Sequence, residues 1–452
     1  MAVNIKLKKG FEINLAGKAE KKIGEIPQPE TFAIKPMDFV GISQTKLNVK
    51  EGDNVKAGSP IMHDKAFDNI LYASPVSGEV AEIVRGPKRK ILEIRILADK
   101  TISYESFKQY SEGDLAGISK EDAVGQLTTS GVWPNVIQRP YGTVANPADA
   151  PKAIFVSAVD THPLAPDMAY ILEGEGKYFQ AGLDVLTSLT EGTVHVNVNS
   201  DSSDIFKSAK NVQVNTIDGI HPAGNVGVQI HHIDPINKGE VAWTVHPYGV
   251  AQIGKLFLEG KYDASKVIAL AGSEVSEPQY YKTYSGAAVN KLLDGTLKSD
   301  HVRFISGNPL TGNQVNSTGY LGFYDNQITV IPEGDYYEMF GWILPTTKKL
   351  SFHRAFGLLS FMGGKKEYAL DTNTKGQERA FVQTGAFESV TPMDILPTYL
   401  LKAIMAEDYD DMEGLGIYEV IEEDLALCEF IDVSKHNVQE ILREGLELIK
   451  NS

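Results

Sequence analysis

Cysteine is nearly missing: the 452-residue chain has one, Cys428. That excludes an intramolecular disulfide framework and fits a reducing compartment. It also excludes a four-cysteine cluster or thiolate zinc centre built from this chain alone. Long apolar runs are missing too, and nothing approaches the ~18–20 residues of a membrane span. The opening MAVNIKLKKGFEI is basic but lacks an apolar centre, so it does not read as a secretory signal. Positive charge is scarce, with 43 Lys and Arg against 59 Asp and Glu and a net charge of −16. That balance argues against nucleic acid as a partner, since phosphate binding needs clustered cations. The one dense basic run, RGPKRK at 85–90, reads as a Gly-Pro turn with solvated charges. Phosphate-loop patterns are absent: no G-x-G-x-x-G follows a strand, and no G-x-x-x-x-G-K-[ST] occurs. The expectation is a soluble cytoplasmic protein able to dock on a membrane partner.

The length implies several domains. Residues 1–30 are polar and broken by Gly10, Gly17, Gly24, Pro27 and Pro29, so they read as an extended arm or edge segment. Residues 31–100 read as strands; Leu92, Ile94 and Ile96 alternate with Glu93 and Arg95. Residues 101–258 alternate strand and helix patterns. AIFVSAV (153–159) and VHVNVN (194–199) flank a helical stretch with Met168, Ile171, Leu172, Phe179, Leu183 and Leu186 as its apolar positions. Strand, helix, strand implies an α/β domain with a largely parallel sheet. Residues 259–332 read as a small α+β module, with a short helix stopped at Gly295. Residues 333–452 turn helical. The last helix shows an apolar face of Val438, Ile441, Leu442, Leu446 and Ile449, with Ser434 as its N-cap.

The run HDKAFDNILYASPVSGEV (63–80), together with VKEGDNVKAGSPI, resembles lipoyl and biotinyl domains, implying a barrel-sandwich first module. Their carrier lysine sits at a hairpin tip. Here eight residues, Ala66 to Ala73, separate Lys65 from SPVSG. That is more than in lipoyl domains, so Lys65 need not sit at the tip. A lipoylated or biotinylated carrier remains the alternative function, opposed by this spacing.

Three polar clusters invite chemistry. In DGIHPAGNVGVQIHHIDP (218–235), His221, His231 and His232 lack the spacing of a helical metal pair. Pro222 would open a helix at its first turn, with Gly224 and Gly227 allowing close packing. The alternatives are a ligand or partner-contact turn and plain structure. SAVDTHPLAPD (157–167) follows a buried strand, where α/β sheets bind ligands. Asp160 and His162 are suited to acid–base work, against a helix-capping role for Asp160. ERAFVQTGAFESVTPMDILP (378–397) reads as a docking surface or an interdomain loop. In TSGVWPNVIQRPYG (129–142), Trp133, Pro134 and Pro140 block the backbone approach of a phosphate cradle.

Taken together, HPAGNVGVQIHHIDP, VDTHPLAPD, SGNPLTG, ITVIPEGDYYEMFGW, TPMDILPTYLL and EEDLALCEF resemble, in order, the A subunit of the Na⁺-translocating NADH:quinone oxidoreductase. The likeness spans nearly the whole chain. It implies an α/β multidomain fold: a barrel-sandwich module (31–100), a Rossmann-like module (101–258), a β-grasp module of the soluble-ligand-binding type (259–332) and a helical C-terminal part (333–452). Related flavoproteins bind FMN and NADH through a glycine-rich loop and hold an iron–sulfur cluster through cysteines. Here SGVWPNVIQRPYG stands for that loop, and Asp160-Thr161-His162-Pro163 for their acidic turn. An independent flavin-dependent NADH dehydrogenase is thereby disfavoured. The resemblance implies no flavin, NADH, iron–sulfur or metal site and no catalytic residue on this chain, with NADH, FAD, FMN, riboflavin and Fe–S handled by the rest of the complex. It implies a peripheral position on the cytoplasmic face of the inner membrane. The implied partners are the other subunits, above all the membrane-embedded B subunit, together with quinone. The candidate quinone or partner contacts are His221, Pro222, Ala223 and Gly224, with Phe340 and Trp342 from EMFGW. Many relatives carry a second cysteine where Asp432 stands; a charged residue there implies an exposed position and excludes a thiol pair.

Overall fold

The computed structural model describes residues 2–25, 28–341, 343–353, 366–382 and 385–452. The N-terminal arm supplies two short strands, β1 (Asn4–Lys6) and β2 (Glu20–Gly24). Then follow β3 (Thr31–Ile34), β4 (Thr45–Leu47), β5 (Asn54–Val55), β6 (Pro60–Asp64), β7 (Phe67–Ala73), β8 (Gly78–Arg85) and β9 (Ile91–Ala98). Among the described residues these form two small sheets, ordered β3-β9-β8-β5 and β4-β6-β7. Alternation in β9 has the expected effect. Ile94 and Ile96 are fully buried, while Glu93 and Arg95 pair with each other on the opposite face at 2.8 Å.

Lys65 differs from its expected place. Asp64 pairs with Phe67, so Lys65 and Ala66 form the tip of the β6–β7 hairpin. The register advances one residue on β6, from His63 to Asp64, while β7 runs from Leu71 back to Phe67. The extra length therefore bulges out of β7 and does not lengthen the turn. The Asp64 carboxylate turns inward and accepts hydrogen bonds from the Ser43 hydroxyl at 2.8 Å and the Gln44 amide at 3.0 Å.

The second module comprises β10 (Val136–Arg139), β11 (Thr143–Val144), β12 (Ala153–Ser157), β13 (Thr193–Val198), β14 (Gln213–Asp218) and β15 (Ala242–Val245). Its sheet runs β1-β14-β13-β12-β15-β10-β11, so the arm closes one edge. Strands β12 and β13 pair in parallel, with the helix Gly176–Thr187 in the crossover. The six apolar positions read from the sequence of that stretch are all buried. This helix crosses Pro247–Glu259 at close range: a Cβ on Gly182 would fall 1.9 Å from the Val250 carbonyl, and one on Gly254 1.8 Å from that of Tyr178. Only glycine permits that contact.

Strands β16 (Ser265–Ala271), β17 (Gln279–Tyr284), β18 (Val302–Ser306), β19 (Asn313–Val315) and β20 (Gln327–Pro332) form the third sheet, β19-β18-β20-β16-β17-β2, again edged by the arm. Beyond it, among the described residues, helices begin only at Ala386–Val390 and continue through Pro397–Met405, Tyr409–Gly414, Glu422–Ile431 and Val438–Asn451. Val438, Leu442, Leu446 and Ile449 face the core of this bundle, with Ile441 at its edge.

Two expectations for this end are overturned. The last helix is preceded by Asn437, not capped by Ser434, whose hydroxyl donates to the Ala380 carbonyl at 3.2 Å. Asp432 is buried, at 1 % exposure. It accepts hydrogen bonds from the backbone of Ser434 and His436 and from His436 Nδ1, so its charge is compensated locally instead of by water.

Candidate functional site

The parallel sheet changes direction at β12, which has β13 on one side and β15 on the other. Loops leaving the carboxyl ends of strands at such a point line the usual ligand crevice of an open α/β sheet. Three segments meet here: 158–167 after β12, 219–225 after β14, and His246 after β15. Thr161 and His221 lie 60 positions apart in the chain, yet Thr161 Oγ1 is 3.2 Å from His221 Nδ1. The same oxygen accepts the Gly224 amide at 3.0 Å. Arm residue Phe11 donates its amide to the His221 carbonyl at 2.9 Å, fixing the loop from the other side.

Asp160 does not cap a helix; Asp167 caps the next one, accepting from the Tyr170 amide. Asp160 instead holds His162, accepting from its Nδ1 at 2.8 Å and its amide at 3.0 Å. The His162 and His221 rings lie 4.8 Å apart. Burial opposes the imidazolium at His162, but the Asp160 carboxylate outweighs it and holds this histidine above the usual range. Burial, reinforced by the His162 charge, pushes His221 down to about 3. The crevice thus gathers three imidazoles beside the Asp160 carboxylate, which favours the charged form of His162, while burial favours the neutral form of His221. Where Thr161 donates to Nδ1, neutral His221 carries its proton on Nε2. The Nε2 atoms of His162 and His221 are both buried and lack a protein partner among the described residues. Two ring nitrogens are therefore without a protein partner in one crevice.

Pro222 does not open a helix. Its carbonyl accepts the Asn225 amide in a turn, and the helix starts later, as Val226–Ile233. Ala223 and Gly224 complete that turn, and Gln229 Nε2 donates to both of their carbonyls. The other two histidines of the cluster point away. His231 binds Glu419 at 2.6 Å and accepts the Asp394 amide; His232 binds the Pro392 carbonyl at 2.7 Å. They fasten this helix to the C-terminal bundle. No group of potential metal ligands forms among the described residues.

The bundle also covers the start of the 226–233 helix. Asn225 Nδ2 donates to the Glu423 carbonyl at 2.7 Å. Arg139 bridges Glu423 and Asp424, with 2.6 Å to the latter. A Cβ on Gly227 would lie 2.3 Å from Asp424 Oδ2. An intramolecular carboxylate thus stands beside the helix N-terminus that a phosphate would need. Trp133 is fully buried edge-on against Trp243, so the 129–142 turn is a packing element.

The second candidate segment is different in kind. Phe340 is 57 % and Met339 79 % exposed, and Tyr337 is fully exposed. This is a surface, not a slot; Trp342 lies outside the described residues. No hydrogen bond or ring contact joins Phe340 to the His221 turn among the described residues. In 378–397, Phe387, Val390 and Met393 are buried while Val382 and Leu396 are exposed. Cys428 is buried and its thiol is pushed up to about 12 by burial, so it is inert. Sequence reasoning missed His246, Arg139, Glu423 and Asp424. A histidine before proline at a strand end was the one readable signal, for His246.

Family descriptions match along the chain: "NqrA N-terminal barrel-sandwich hybrid domain" over residues 5–99, "NqrA second alpha/beta domain" over 118–262 and "NQRA C-terminal domain" over 267–317. Similar proteins, each named as the A subunit of a Na(+)-translocating NADH-quinone reductase, come from three organisms. They are Yersinia pestis bv. Antiqua, at 37% identity over 449 residues, and Saccharophagus degradans and Neisseria meningitidis serogroup B, each at 36% over 447. Each alignment covers 99% of this chain and 99% of the relative.

Proposed function

The chain belongs to the family of the A subunit of the Na(+)-translocating NADH-quinone reductase, an oxidoreductase complex, and we propose that it is the peripheral member, lying on the cytoplasmic face beside the membrane-embedded B subunit and supporting quinone binding. Among the described residues no helix is long and apolar enough to cross a membrane. Partner subunits then offer a route of attachment, and the exposed Tyr336, Tyr337, Met339, Phe340, Ile343 and Leu344 present apolar area for it.

The observation that carries the quinone reading is the pair of unsatisfied Nε2 atoms of His162 and His221. A quinone ring presents two carbonyl acceptors and no donors, so convergent N–H groups are its natural polar partners. The chain needs no flavin, NADH or iron–sulfur site in this role. Asp424 beside Gly227 opposes a cofactor phosphate by like charge, and the single cysteine is buried. FAD, FMN, riboflavin and Fe–S then reside in the other subunits.

The test uses the whole complex carrying His221→Ala. Quinone reduction is expected to fall about tenfold with a raised quinone KM, the loss of one donor to a buried acceptor. NADH oxidation by an artificial acceptor that bypasses quinone should persist. Unchanged quinone kinetics would remove His221 from the site.

A second reading draws on the position of Lys65, exposed at a hairpin tip as in carrier domains. Intact mass of the native chain decides it: the unmodified mass ends the carrier reading.

A further inference from the structure

The β8–β9 hairpin ends in Arg85-Gly86-Pro87-Lys88-Arg89-Lys90, and all four cations are exposed. Among the described residues none of them forms an ion pair. Glu82 and Glu93, on the same two strands, are both held by Arg95, at 2.7 and 2.8 Å. In a chain of net charge −16, this is a concentrated and uncompensated positive point.

Its backbone sharpens the case. The Lys90 amide donates to the Pro87 carbonyl at 3.1 Å, and the two residues between them lie in the left-handed region, Lys88 at φ 53° and Arg89 at φ 60°. A hairpin turn with two positive φ angles favours Asn-Gly, because other side chains crowd their own backbone there. The sequence instead places Lys and Arg at these two positions. Both side chains are exposed, and the hydrogen bonds of Arg89 are those of its backbone, the amide to the Gly86 carbonyl at 3.1 Å and the carbonyl to Arg85 at 3.4 Å. A broken local rule with no packing gain points to a use outside the fold.

We propose that the 85–90 hairpin tip docks on an anionic phospholipid surface. This rests on the reading that the chain serves a complex that moves Na⁺ across a membrane. A convex tip of unpaired cations fits a plane of phosphate headgroups. The acidic remainder of the chain is repelled by the same surface, so the tip also sets the orientation of approach. The attraction acts within a Debye length and is screened by salt.

The test is co-sedimentation of the full chain with vesicles of phosphatidylcholine alone or with roughly 30% phosphatidylglycerol, where each basic side chain near the surface adds to attachment. Binding is expected only to the anionic vesicles and should fade as salt rises. The variant Lys88→Asn/Arg89→Gly supplies the pair this turn prefers, so it should melt at or above the wild-type temperature. Its partitioning should fall about 30-fold, the effect of two cations at an anionic surface. Equal binding by wild type and variant, or binding indifferent to lipid charge, overturns the proposal. So does absence of vesicle binding combined with loss of partner subunits from the variant on affinity purification, which would assign the tip to an acidic protein. The family role fails separately, if the tagged wild-type chain brings down no flavin-bearing membrane subunits.

Discussion

Two seams of this molecule bury charge, and they handle it in opposite ways. Where the antiparallel edge of the α/β sheet meets the C-terminal helices, Arg139 is 2 % exposed and is met by carboxylates, Asp424 at 1 % and Glu423. Where the barrel-sandwich, α/β and β-grasp modules meet, Lys266 is 3 % exposed and is met by the carbonyl oxygens of Phe323 and Asp325 and the ring of Tyr248. Nearby, Asp38 has Lys35 at 3.4 Å and the Phe323 amide at 2.9 Å. Arg139, answered by charge, is held above its already high ordinary value and keeps its proton through any ordinary pH. A charge answered mainly by dipoles can shed its charge. Burial brings Lys266 down to about 8, and burial carries Asp38 up to about 6 against the pull of Lys35. The cation of the first seam is fixed; that of the second responds to pH.

The sharpest way to break this contrast is Arg139→Met. It leaves Asp424 buried without a counter-charge and is expected to cost about 3–5 kcal/mol of unfolding free energy in urea. A loss below about 1 kcal/mol would mean that water reaches Asp424 and that the seam is not dry. Next in size is Lys266→Met, expected to cost about 1–3 kcal/mol because two carbonyl groups lose their donor. Its pH dependence is the more telling readout. The folded lysine titrates near 8 and the unfolded one near its ordinary value of 10.5. Between those values the unfolded chain binds more protons, so wild-type stability should rise with pH there, and the Met variant should lack that rise. Asp38→Asn probes the opposite sign. The folded carboxyl holds its proton up to about pH 6, against an ordinary value of 3.8. Wild-type stability should therefore fall as pH climbs through that window, and the variant should flatten the fall. A wild-type curve flat in both windows would equate the two seams.

What was readable in the sequence follows from how local each signal is. The alternation of β9, the strand–helix–strand order around Phe179 and the apolar face of the last helix are contacts within or between neighbouring elements, and periodicity reports them directly. The candidate site was readable only in halves. VDTHP and HPAG each stood out, but their meeting depends on where β12 and β14 end in one sheet. Arg139 and Asp424, 285 positions apart, have no local signature at all. Asp432 and Ser434 show a further limit. A charge or a hydroxyl in sequence says nothing about whether backbone amides will come to it, and here they came to Asp432. Lys65 shows another: spacing revealed the excess length of the hairpin but not whether turn or strand would absorb it.

The smallest expected effect bears on the fixed seam itself. Arg139 holds two carboxylates, but their surroundings differ: the Asp424 side chain is wholly buried and that of Glu423 is 32 % exposed. Water already solvates Glu423, so its ion pair is worth what partly exposed pairs are worth, about 0.2–1 kcal/mol. Glu423→Gln keeps the backbone carbonyl that Asn225 uses and leaves Asp424 to neutralise Arg139. Urea unfolding of this variant should thus differ from wild type by less than about 1 kcal/mol, far less than for Arg139→Met. If the two losses prove equal, Arg139 and both carboxylates act as one buried triad, and the seam's stability cannot be assigned to the Arg139–Asp424 contact alone.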